Sequence, residues 1–155
     1  MVGVGPRRLN VAALALYGPT MTLDELALSL PNGFHDAELE VVTIDCTKRE
    51  ARLTLDVWIG DDDEREAYRR AELTLTGLLY WVSEPAASGD PYGVPGAVTI
   101  DVGPLEQLHS ANCPKLPQTP ASAFSNWVFV NDWNAFIYVA AENSSLKWIG
   151  ERTIR

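Results

Sequence analysis

The feature that most constrains this chain is a strict two-residue alternation over residues 51–59. Ala51, Leu53, Leu55, Val57 and Ile59 interleave with Arg52, Thr54, Asp56 and Trp58. Only an extended strand with one buried face puts every second side chain on the same side, so this stretch is a strand and needs a partner sheet. Just before it, Leu39 and Val41 share one phase while Val42, Ile44 and Cys46 share the other. A β-bulge between Val41 and Val42 would reconcile the two phases. Residues 34–59 therefore read as two strands joined by a short polar turn.

The same logic extends along the chain. Thr22 with Glu25 forms a capping box, Met21 with Leu26 the flanking staple, and Pro31-Asn32-Gly33 a stop, which predicts one short helix whose apolar face carries Leu23, Leu26, Ala27 and Leu30. Ala71, Leu73 and Leu75 alternate in a third strand. From Gly77, residues 78–82 are apolar on both faces, as expected of a strand end covered on both sides, with Gly77 marking a bulge or a close backbone approach. Residues 84–96 and 103–121 are rich in Pro and Gly and read as loops, separated by a short strand with Val98, Ile100 and Val102 inward. Residues 127–130 and 135–140 pair about the turn Asn131-Asp132-Trp133-Asn134. A further turn at 142–145 leads into Leu146, Trp148 and Ile149, and residues 151–155 are expected to fray.

The resulting expectation is a mainly β protein with minor helix, an antiparallel β-sandwich or partly open barrel of six to seven strands. Residues 21–155 form a single domain. Residues 1–20 differ in composition, lack any acidic residue and read as an N-terminal extension, with Met21 as an alternative start. Cleavage of a signal peptide after Ala15 would leave too short an apolar region, and no run approaches the roughly 18 apolar residues of a membrane span. With Cys46 and Cys113 far apart, free thiols in a reducing compartment are expected, hence a cytoplasmic location.

The formal charge of -9 opposes phosphate backbones and anionic membranes. Neither nucleic acid nor a membrane is expected as a partner; a basic protein, or a second copy of the chain, suits the charge better. Phosphate-binding loops, nucleophile elbows, H-E-x-x-H and dinucleotide fingerprints are missing from the sequence, so no cofactor is expected and a non-enzymatic role is favoured. Gly60 to Glu64 reads as a turn with four consecutive acids; Asp61 to Glu64 lacks the ligand spacing of a calcium loop, and His109, Cys113 and Cys46 lack the short paired spacing of a zinc site, so no metal is expected either.

Candidate binding residues are Trp58, on the polar phase of its strand, and Trp133, in a turn, because exposed indoles anchor interfaces at low entropic cost. His35 and Asp36 add an imidazole beside a carboxylate. Together with Asp132 they would form a small-molecule or hydrolytic cleft if the fold brings all three together.

The segment Phe34-His35-Asp36-Ala37-Glu38-Leu39, the later Arg52-Leu53-Thr54-Leu55, and the block Phe129-Val130-Asn131-Asp132-Trp133-Asn134 resemble the corresponding parts of small bacterial β-rich proteins of uncharacterised function, some of them grouped with immunity proteins of polymorphic toxin systems. The resemblance implies a bacterial β-rich cytoplasmic protein and assigns no catalytic residue; the charge and the tryptophans point to a protein partner, such as a basic toxin or a second copy of the chain.

Overall fold

The computed structural model describes residues 20–62, 65–87, 96–108 and 114–155, with the side chains of residues 61 and 62 left aside. The extension up to residue 19, the tip of the acidic turn, and His109 with Cys113 lie outside the described residues.

The elements are α1 (Leu23–Leu28), β1 (Ala37–Asp45), β2 (Glu50–Asp62), β3 (Arg65–Thr76), β4 (Tyr80–Ser83), β5 (Val98–Pro104), β6 (Phe124–Val130), β7 (Ala135–Ala141) and β8 (Asn143–Ile154). All eight strands join one antiparallel sheet in the order β4-β7-β6-β5-β1-β2-β3-β8. The mainly β, antiparallel expectation holds, with eight strands rather than six or seven. The sheet does not close, because edge strands β4 and β8 are not paired with each other.

The sheet must nevertheless curl. β3 and β7 stand far apart in the strand order, yet the Glu142 amide that follows β7 donates to the Thr76 carbonyl at the end of β3, 3.0 Å away. A Cβ placed on Gly77, which has φ +63°, would lie 2.6 Å from Glu142 Oε2. Of the two roles expected for Gly77, the close approach is the one it fills. Curling brings Ala51, Leu53, Leu55 and Val57 of β2, Ala71, Leu73 and Leu75 of β3, and Val128, Val130, Ile137 and Val139 of β6 and β7 into one buried cluster. Removing a Leu or Val of this kind from water contributes about 1.5–3 kcal/mol, so the alternation in β2 directs a large share of the stabilisation.

Helix α1 spans the open side. Its capping box forms as expected, Glu25 N–H donating to Thr22 Oγ1 and Thr22 N–H to the Glu25 carboxylate. The Met21 carbonyl accepts from Ser144 on β8, while Asp24 accepts from the Asn126 amide on β6. Leu23 and Leu26 are buried beneath it. No helix among the described residues is long and apolar enough to cross a membrane.

Five details differ from the sequence reading. The turn expected at 142–145 shrinks to Glu142, because β8 begins at Asn143 and Ser144 and Ser145 pair with Leu75 and Thr74 of β3. The β1 bulge falls between Leu39 and Val41, one step earlier than expected, making Glu40 the extra residue. β2 runs on through Asp62 past a second irregularity at Trp58 and Gly60, where a turn was expected, because Gly60 takes φ +117° and absorbs the kink. Residues 78–82 do not prolong β3: Gly77 turns the chain away, and β4 pairs with β7 at the other edge. Residues 151–154 do not fray: β8 runs through them, 152–154 pair with β3, and Arg155 forms ion pairs with Glu38 and Asp56 while stacking over Tyr68.

Candidate functional site

The site begins in the loop between α1 and β1. Gly33 takes φ +57° and Asp36 φ +53°, and between them Phe34 turns inward to 3% exposure as an anchor. Turn hydrogen bonds from His35 N–H to the Asn32 carbonyl and from Ala37 N–H to the Phe34 carbonyl set the loop. Anchoring Phe34 on one side and starting β1 on the other leaves His35 facing outward, 60% exposed.

There its Nδ1 lies 2.5 Å from Asp101 Oδ1 on β5, and its Nε2 lies 3.3 Å from Asp36 Oδ2. The Asn131 side-chain amide donates to the other Asp101 oxygen at 3.3 Å. The Asp101 hydrogen bond, reinforced by the charges of Asp101 and Asp36 and only partly opposed by desolvation, raises the His35 pKa above its ordinary value. The ring of Trp58 is tilted beside the imidazole, centroids 6.1 Å apart.

The other wall comes from β6 and β7. Because Val128, Val130, Ile137 and Val139 point into the core, Trp127, Phe129, Phe136 and Tyr138 must project from the opposite face. The register sets Phe129 opposite Phe136 and Trp127 opposite Tyr138. Ring centroids are 4.9 Å apart for Phe129 and Phe136, and Trp127 meets Phe136 edge to face at 6.0 Å, an arrangement that suits ring quadrupoles. Glu84 closes the far end, accepting from Tyr138 Oη at 2.7 Å and from Phe136 N–H at 2.9 Å. Gly103 on β5 makes room for the indole: a Cβ there would sit 2.3 Å from Trp127 Cζ2.

Between the loop and this wall lies a cavity of about 550 Å³ lined by Phe34, His35, Asp101, Trp127, Phe129 and Phe136 among others. Its size and apolar lining with a few polar groups match the general form of small-ligand sites.

Of the residues singled out from the sequence, His35, Asp36 and Trp58 come together. Asp132 does not line the cavity; its Oδ2 accepts the Thr99 N–H at 2.7 Å and so pins β5 to the β6–β7 turn. Trp133 is half-buried and packs on the core. The carboxylate that meets His35 is Asp101, which sequence reading did not single out because it lies 66 residues away on β5. The aromatic wall was also missed, although its signal was present. In β6 and β7 both phases are bulky and apolar, so one phase must line something other than the core.

Chemically, His35, Asp36 and Asp101 offer ligand atoms within 4.8 Å of one another and could hold a divalent cation. Each imidazole nitrogen already faces a carboxylate, however, so a metal would have to displace one of those contacts. An imidazole held at Nδ1 by Asp101 and flanked at Nε2 by Asp36 is suited to orienting a polar group. No family model, curated protein or solved structure matches the chain.

Proposed function

We propose that the protein is a non-enzymatic binding module whose site is the aromatic cavity beside His35. The observation that carries this reading is the half-buried wall of Trp127, Phe129 and Phe136, which leaves large apolar area reachable by a ligand on the face opposite the core. Apolar contact with the rings supplies affinity, while Asp101 and His35 at the rim orient a polar group. The carboxylates on both sides of the imidazole favour an orienting role over hydrolysis.

The test uses the neutral fluorescent probe N-phenyl-1-naphthylamine. Saturable 1:1 binding is expected, weakened about tenfold or more in Trp127→Ala and Phe136→Ala and unchanged in Trp133→Ala, with near-UV circular dichroism checking the fold of each variant. Unsaturable binding, or equal affinity in Trp127→Ala, would overturn the reading.

A second reading, docking of a basic protein such as a toxin or of another copy of the chain, is favoured by the charge of -9 and by the resemblance to immunity proteins. Sedimentation at high concentration tests the self-association form: a concentration-dependent dimer weakened in Trp58→Ala supports it, and a monomer throughout counts against it.

A further inference from the structure

Resting on the proposed binding site, we infer that its ligand is an organic cation, an apolar body carrying an ammonium group. The charges around the cavity carry the argument. Among the described residues neither Lys nor Arg lines it, so an anionic ligand would find no cation there other than His35, which two carboxylates already hold; the ionisable lining groups described are His35 and Asp101, with Asp36 directly behind the imidazole. The three together carry one net negative charge when His35 is protonated and two when it is neutral. The balance therefore favours a positive ligand in either state.

Asp101 also retains acceptor capacity. A carboxylate offers roughly four lone-pair sites, and His35 takes one on Oδ1 while Asn131 takes one on Oδ2. The remainder can accept from an ammonium N–H at the cavity rim.

The wall adds a second attraction. Trp127, Phe129 and Phe136 are the aromatic rings beside this carboxylate, and ring faces attract cations through their quadrupoles, most strongly where water is partly excluded. Across the wall stands a further acid, Glu84, whose oxygens are engaged by Tyr138 and Phe136. It strengthens the negative potential of the face without competing for the ligand. A neutral ligand would gain only the apolar contact, and an anion would lose on both counts.

Three probes with one tail separate the contributions: 4-phenylbutylamine, 4-phenylbutan-1-ol and 4-phenylbutyrate, titrated by calorimetry at neutral pH. The amine is expected to bind about tenfold or more tighter than the alcohol, and the carboxylate most weakly. In about 0.5 M NaCl the margin should narrow. Asp101→Asn should bring the amine down to within about twofold of the alcohol measured on the same variant. Asp36→Asn, which leaves the Asp101 contacts in place, should narrow the same margin and guards against a folding defect in the first variant. An amine no tighter than the alcohol, or a preference that survives both substitutions, would overturn the inference while leaving the cavity reading intact. Failure of both the amine and the alcohol to bind would remove both.

Discussion

His35 is the residue on which structure and chemistry meet, and its environment has a sign. The folded-state pKa is raised, chiefly by the Asp101 hydrogen bond. Its contribution to stability is then fully present below the unfolded value near 6.5 and is lost as pH rises through the folded value. The urea midpoint of the parent should exceed that of His35→Gln most at pH values below that range, the gap narrowing toward alkaline pH. A gap that widens with pH would contradict the geometry. Gly103 makes an independent residue-scale test. A methyl there collides with the Trp127 indole, so Gly103→Ala should cost about 1–3 kcal/mol and shift the Trp127 fluorescence, since overpacking forces side chains off their preferred rotamers. An unchanged melting temperature and spectrum would mean that the indole does not lie over β5.

Among the elements, β2 is the best-specified strand and β8 was the least legible. Strict alternation of small and branched apolar residues with polar ones made β2 readable, and Leu53, Leu55 and Val57 are buried as that pattern requires. Leu55→Ala should therefore cost about 2–5 kcal/mol in chemical unfolding, far more than a change at the outward Thr54. The helix was legible from its cap, because the capping box is a local interaction between residues three apart. The end of β8 was not. Glu151, Arg152 and Thr153 carry no apolar period, and what holds them in the sheet is pairing with β3 and the reach of Arg155 to Glu38 and Asp56. Arg155→Ala should accordingly raise amide exchange at residues 151–154 while leaving β2 protected. Asp101 was hidden for the same reason: a hydrogen bond across 66 residues leaves no local trace. Trp127 and Phe129 were not singled out because alternation alone does not say which of two apolar phases faces inward.

At the scale of the whole molecule, one curled sheet has two unlike surfaces. Its inner face holds the core, with α1 tied to β6 and β8 across the opening. The outer face of β1 to β3 is charged, as in the Arg52–Glu50 and Arg70–Glu40 pairs, while that of β6 and β7 is aromatic. The cavity lies where the loop carrying His35 meets the aromatic half, and binding there is the central claim. It is tested most directly by fluorine NMR of protein labelled with 5-fluorotryptophan, since the five tryptophans report from separate places. On titration with 4-phenylbutan-1-ol, the Trp127 resonance should move first and furthest, Trp58 should follow through His35, and Trp133 and Trp148 should stay. Movement confined to Trp133 or Trp148, with Trp127 unchanged, would contradict the account.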